Sequence, residues 1–214
     1  MSKGLFITFE GTEGCGKSTQ VALLAERLHA RGRRVRTIRE PGGTLIGEEI
    51  RHTLKHSHAN AAMTPETELL LMNASRAQLV REIIRPALAA GEVVLCDRFY
   101  DSTTAYQGYG RQLDLKLVEA IIDVAVGATR PDLTLLFLVP SEVSAERLRR
   151  RQKTMPFVRD RFEEAERDFF ERVATGYEAL AAAEPQRVQT VDAGASVETV
   201  SAAVWQRVEP FLIT

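Results

Sequence analysis

The sequence predicts an α/β fold: a doubly wound, five-stranded parallel sheet with helices on both faces. Three observations predict it. Short apolar runs recur along the chain, amphipathic stripes lie between them, and the composition is that of a globular protein, 44% hydrophobic and 27% charged over 214 residues. Strands that alternate with helices pair in parallel, because each crossover helix returns the chain to the same end of the sheet and covers one face.

The strands are expected at Leu5–Phe9, Val35–Ile38, Val93–Cys96, Leu133–Val139 and Val188–Val191, runs too short for helices and mostly followed by loop or cap residues. Helical stripes fall between them. Val21, Leu24 and Leu28 share one face, as do Leu69, Met72, Arg76 and Leu79, and again Val118, Ile121, Ile122 and Ala125. Phe162, Phe169, Val173, Tyr177 and Leu180 mark another stripe, and Val197, Val200, Val204, Val208 and Phe211 the last. The chain has no internal repeat or linker, so it reads as one domain, 1–214.

One stretch breaks the alternation. Arg149 to Arg161 reads RRRQKTMPFVRDR, six basic residues against one acidic, and Pro156 interrupts any helix continuing from Glu142–Arg151. It reads as a solvated connector or as a basic lid, about 149–161, closing over an anionic ligand.

Charge excludes some partners. A net charge of −1 offers no basic footprint for nucleic acid, and no apolar run reaches the length of a membrane span. Two cysteines, Cys15 and Cys96, are too few for a disulfide scaffold. A cytoplasmic protein is expected. Within the neutral total, five lysines stand against 23 arginines, the cation suited to bidentate phosphate recognition or simply the mark of codon bias.

The strongest motif is Gly11-Thr12-Glu13-Gly14-Cys15-Gly16-Lys17-Ser18, followed by Thr19. It fits G-x-x-x-x-G-K-[ST], set between the first strand and a helix opening at Lys17. Its glycines let backbone N–H groups turn inward around an anion, and the helix N-terminus adds partial positive charge. Lys17 can reach the β- and γ-phosphates, and the Ser18 hydroxyl suits Mg²⁺. The motif predicts binding of a nucleoside triphosphate, ATP, with magnesium. The N-K-x-D base-reading element of GTPase switches is missing from the sequence.

A transferase needs a second anionic site. Arg39-Glu40-Pro41-Gly42-Gly43-Thr44 follows the second strand, with Arg51 behind it; LLLMNASRAQ carries Met72 and Arg76; DRFYDSTTAYQG follows the third strand. With FEGTEGCGKST and a basic lid ending in DRFE, these segments resemble the thymidylate kinase family, of bacterial type, over essentially the whole chain. The resemblance implies a nucleoside monophosphate kinase-like fold with a short lid, a homodimer, and the reaction ATP + dTMP → ADP + dTDP. It assigns Arg51 and Arg98 to the acceptor phosphate, Arg76 to a thymine carbonyl, and Thr103 and Gln107 to the surroundings of the base. It also implies that Tyr106 lies under the deoxyribose, that Glu13 meets the 3′-hydroxyl, that Glu40 lines the acceptor site and that Asp97 orients Mg²⁺ through water. Because position 14 is glycine, the catalytic arginine is expected in the lid, where Arg151 is favoured over Arg149, Arg150 and Arg159, with Asp160 and Arg161 anchoring the far end. Without the resemblance, Arg51 reads as a surface partner of Glu48, Arg76 as exposed, Asp97 as a loop cap, and Tyr106 and Met72 as core.

Met72 departs from the family pattern, which has phenylalanine four residues before the base-reading arginine. A thioether contacts an aromatic ring more loosely than a π-platform does, so broader selection among thymine, uracil and halogenated bases is expected. No general base is needed, because a phosphate monoester with a second pKa near 6 is largely dianionic at neutral pH. Cys15, at a helix N-terminus, is the kind of thiol whose pKa can fall, although inert thiols are the plainer reading. Two alternatives stand beside this function: another nucleoside monophosphate or deoxynucleoside kinase, and a non-catalytic nucleotide-responsive binding protein.

Overall fold

A computed structural model describes residues 4–154 and 167–212. The chain order is β1 Leu5–Gly11, α1 Lys17–His29, β2 Val35–Arg39, α2 Leu45–Lys55, α3 Pro65–Leu79, α4 Arg85–Ala89, β3 Val93–Asp97, α5 Tyr100–Thr103, α6 Leu115–Val126, β4 Leu133–Leu138, α7 Ser141–Thr154, α8 Arg167–Ala183, β5 Val188–Asp192 and α9 Val197–Val208. The five strands are parallel in the order β2-β3-β1-β4-β5. All five expected strands are present, each within a residue or two of its expected bounds.

β1 is buried along its whole length, as a central strand covered on both faces must be. β2, at the edge, is half-exposed, and its solvent-side arginines keep that edge from pairing with other chains. On one face α1 and α9 pack Val21, Leu24, Leu28, Val200, Val204, Trp205 and Val208 against β1, β3 and β4. On the other, α3 and α6 cover β1 and β3, while α8 covers β4 and β5 with Phe169, Val173 and Tyr177. Val197, expected in the last stripe, is instead 48% exposed, because it stands in the opening turn of α9 directly after the Ser196 cap. Phe162 lies outside the described residues.

Helix starts follow local chemistry. Thr44, Thr64, Asp114 and Ser196 cap α2, α3, α6 and α9 with side-chain oxygens, and Pro65 occupies the first turn of α3. α1 is preceded by Gly16 at its N-cap, with no side-chain cap. Its first N–H groups are left for something else.

The sequence order reverses around β1, with β2 and β3 to one side and β4 and β5 to the other. That switch point is where the carboxyl ends of strands in open α/β sheets part to make a crevice, and the loop 11–16 stands in it.

Candidate active site

The glycine-rich loop is shaped by close packing. Gly11 has φ +133°, and a Cβ there would stand 2.5 Å from the Phe137 carbonyl oxygen of β4. Gly16, at φ +96°, faces open space, with nothing within 4 Å of where a Cβ would be. Lys17 is buried and gives its ammonium to the carbonyls of Gly11 (3.1 Å) and Thr12 (2.9 Å), so it spans the mouth of the loop. Position 14 is covered by α7, where a Cβ would come within 3.0 Å of the Ser144 carbonyl and 3.1 Å of Leu148. Ser144 also donates to the Glu13 carbonyl. A long side chain at 14 would displace α7, which accounts for glycine there.

Ser18, in the first turn of α1, donates to Asp97 Oδ2 at 2.7 Å. Asp97 ends β3 and is paired in register with Phe9 of β1, so the strand ends bring the two oxygens together. Thr19 is exposed beside Ser18.

Arg98, next in the chain, has φ +70°, a left-handed conformation that costs a side-chain-bearing residue roughly 1–2 kcal/mol. Its N–H donates to Phe9 O at 2.9 Å and its carbonyl accepts from Cys96 Sγ at 2.9 Å, holding the turn. The guanidinium thereby enters a polar cluster. Nη2 donates to Glu13 Oε1 (2.8 Å) and Tyr106 OH (3.2 Å), and Nη1 to Ser102 Oγ (3.1 Å) and Tyr177 OH (3.2 Å). Burial raises the Glu13 carboxyl, but the charges of Arg98, Lys17 and Lys55 overcome that and hold it at about 2. The donor loop and the expected acceptor arginine are therefore in direct contact.

Behind Arg98 lies Glu10, buried at the end of β1. It accepts from Phe99 N (2.7 Å), Ser102 Oγ (2.5 Å) and Tyr177 OH (3.0 Å). The two hydroxyls thus pass hydrogen bonds from the guanidinium to the carboxylate. Burial and the charge of Asp101 raise Glu10 to about 7 against the pull of Arg98, Ser102 and Phe99 N.

Arg76 is 2% exposed, not on the surface as its charge alone suggests. Its Nε and Nη2 converge on Glu40 Oε2 (2.8 and 2.7 Å), Nη1 donates to Asn73 Oδ1 (2.8 Å) and Nη2 to the Phe99 carbonyl (3.2 Å). Burial raises the Glu40 carboxyl while Arg76 opposes it. Glu40 precedes the cis Pro41, whose carbonyl accepts from Arg51 Nη1 at 2.9 Å. Glu48 is engaged by Arg39, and the charge of Arg51 acts on it as well.

Tyr106 and Met72 meet in one apolar cluster with Phe169, while Thr103 and Gln107 are 1% exposed beside them. Gln107 donates to Glu68 at 2.7 Å. The segment Thr104–Gly110 is π-helical, a wound-out geometry common at functional sites, in a stretch to which the sequence assigned no secondary structure.

The expected lid is described in part. α7 runs through the basic run to Thr154, two residues short of Pro156. Arg149 donates to the Ala145 carbonyl and Arg150 pairs with Glu146, both within α7. The Arg151 side chain, Arg159, Asp160 and Arg161 lie outside the described residues. Both cysteines are free and buried; burial pushes the Cys96 thiol well up.

Sequence reading missed Glu10, Ser102, Tyr177, Glu68 and Lys55. Glu10 carried a signal, since a carboxylate within a buried apolar strand must find donors.

The phosphate loop, the arginine after β3 bonded to it and the buried arginine held by Glu40 and Asn73 all lie within one stretch matched to a known family. The thymidylate kinase family model matches residues 9–204. The chain belongs to the thymidylate kinase family. A thymidylate kinase of Synechococcus sp. (strain JA-3-3Ab) is 47% identical over 209 residues, covering 98% of this chain and 97% of that protein. A thymidylate kinase of Geobacter sp. (strain M21) is 50% identical over 196 residues, covering 91% and 87%. The crystal structure of thymidylate kinase from Ehrlichia chaffeensis superposes with a TM-score of 0.76 at 32% identity, covering 97% of this chain and 99% of that one. Thymidylate kinase architecture thus extends across the described chain, and no helix among the described residues is long and apolar enough to cross a membrane.

Proposed function

We propose that this chain transfers the γ-phosphoryl group of ATP to the 5′-phosphate of dTMP, giving ADP and dTDP. The single observation that carries this reading is the 2.8 Å contact between Glu13 of the phosphate loop and Arg98, which ties a donor site to an acceptor site.

The chemistry is governed by repulsion between two polyanions. An acceptor phosphate oxygen forms a bond to the γ-phosphorus as the bond to the β-bridging oxygen breaks, and the bridging electrons leave with ADP. Positioning and charge neutralisation supply nearly all the acceleration. The uncapped first turn of α1 and the N–H groups of 11–16 hold the donor phosphates, and Lys17 trades its loop carbonyls for phosphate oxygens. Arg98 and Arg51 grip the acceptor phosphate. Glu13 meets the sugar 3′-hydroxyl, and Tyr106 packs against the deoxyribose. Arg151 is the lid cation.

Ser18 and Asp97 suit Mg²⁺, since both offer hard oxygen atoms at one edge. When bound there, the ion neutralises charge on the donor phosphates. The chain's own part is to hold Ser18 Oγ and the Asp97 carboxylate on adjacent element ends.

A homodimer is the proposed assembly. Leu70 of α3 and Leu117 and Val124 of α6 are exposed at 56%, 47% and 78%, an apolar surface on two adjoining helices. Sedimentation velocity checks this. Two buried free thiols suit a reducing compartment, the cytoplasm.

A coupled ADP-release assay with a panel of mononucleotides tests the function. The expected result is stimulation by dTMP well above every other acceptor. Equal stimulation by several would favour a general monophosphate kinase, and none a binding protein.

A further inference from the structure

Arg98 is held by two consecutive residues of β1. Its backbone N–H donates to the carbonyl of Phe9 at 2.9 Å, and its guanidinium is reached through two hydroxyls by the side chain of Glu10. The ion pair of Arg98 is formed by Nη2 with Glu13, so Glu10 and Glu13 hold opposite ends of the guanidinium. The proton on each hydroxyl has one destination. Ser102 Oγ stands 2.5 Å and Tyr177 OH 3.0 Å from the same carboxylate oxygen, Glu10 Oε2, and an ionised carboxylate only accepts. Both hydroxyls therefore give their protons to Glu10 and turn lone pairs toward Nη1, whose two N–H groups lie 3.1 and 3.2 Å from them.

Nothing else competes for this arrangement. Glu10 Oε1 is occupied by the Phe99 N–H at 2.7 Å. The neighbouring buried carboxylate, Asp101, is taken by Arg187 on both oxygens, at 2.7 and 2.8 Å, and by Thr134 at 3.0 Å. Nη1 is thus the anchored nitrogen of Arg98. Nη2 and Nε share the opposite edge, which meets Glu13 of the phosphate loop, and Nε–H makes no hydrogen bond among the described residues. Two parallel N–H groups on one edge are what a bidentate grip on phosphate requires.

We infer that Glu10 is a positioning residue for the transfer: through Ser102 and Tyr177 it anchors Nη1 and so turns the Nε/Nη2 edge of Arg98 toward the phosphate loop, ready for the acceptor phosphate. The inference rests on the acceptor role proposed above for Arg98. Glu10→Gln keeps the shape and reverses the order of donors. The Phe99 N–H still requires a carbonyl at Oε1, so the NH₂ group takes the place of Oε2 and donates to the hydroxyls. One hydroxyl can pass its proton to the other across their 3.0 Å contact, and the remaining one is left donor to donor with Nη1.

The test measures kcat and KM for dTMP and for ATP in the wild type, Glu10→Gln, the Ser102→Ala/Tyr177→Phe double variant and the triple variant. Assays run at about pH 8, where the Glu10 carboxyl, at about 7, is largely ionised. The expected result for Glu10→Gln is a fall of at least about tenfold in kcat/KM for dTMP, with the KM for ATP changed by less than about twofold. Its melting temperature should be no lower than that of the wild type. Added to the double variant, Glu10→Gln should cost less than about twofold more, because the hydroxyls that carry its effect are gone. Wild-type dTMP kinetics in Glu10→Gln would overturn the inference and leave the kinase reading intact. So would equal losses toward dTMP and ATP, or a melting temperature that falls with the activity, since these mark a merely structural role. Should Glu10→Gln not fold, Tyr177→Phe decides. A several-fold fall in kcat/KM for dTMP at unchanged KM for ATP supports the inference, and unchanged dTMP kinetics overturn it. No dTMP turnover by the wild type would overturn the kinase reading and the inference with it.

Discussion

Glu13 of the phosphate loop and Arg98 after β3 stand 2.8 Å apart although 85 residues separate them. The carboxylate is held at about 2 by Arg98, Lys17 and Lys55 against the raising effect of burial. It is therefore ionised at every working pH and pins the guanidinium on the side facing the phosphate loop.

Arg98→Ala should lower kcat by about 10²–10³-fold, the usual consequence of removing one preorganised donor from a developing charge. ATP affinity, read by fluorescence titration, should change little. Equal losses in kcat and ATP affinity would assign Arg98 to holding the loop together.

Glu10 makes stability depend on pH. Its carboxyl is raised by burial from 4.5 to about 7 in the folded chain, so its contribution is complete below pH 4.5 and is lost as pH rises through 7. Urea unfolding should show the wild type losing about 1–3 kcal/mol between pH 5 and 8 relative to Glu10→Gln. Parallel pH profiles for the two proteins would contradict this.

Gly11→Ala should cost about 2–4 kcal/mol of stability and abolish ATP binding. The added methyl meets the Phe137 carbonyl at 2.5 Å, and φ +133° is foreign to an L side chain. Differential scanning calorimetry together with ATP titration checks both effects.

Met72→Phe should sharpen the preference for dTMP over dUMP by a few fold. Met72 is partly buried against Tyr106 and Phe169, so the larger ring has apolar neighbours on which to settle. Steady-state kinetics on the two acceptors reads it, and an identical ratio would show that position 72 does not face the base.

The sheet was legible because each strand is a short apolar run, and the phosphate loop because its glycines and Lys17 occur at one fixed spacing. The meeting of Ser18 with Asp97 followed from both lying at strand or helix ends on the same edge. Arg76 was not legible from composition. Its burial depends on Glu40, 36 residues away, and periodicity places a residue on a face without naming its partner. The Arg98–Ser102–Tyr177–Glu10 network was equally hidden, because Tyr177 reaches it from α8 and reads in sequence as one more apolar position. The π-helical turn at Thr104–Gly110 was missed since no residue type announces it; it arises where the segment packs between α3 and α8.

The most direct measurement follows labelled phosphorus from γ-³²P-ATP in the presence of dTMP. Label is expected in dTDP in one-to-one proportion with ADP formed, with loss of that transfer in Arg98→Ala. Label recovered as inorganic phosphate, with dTMP unchanged, would contradict it.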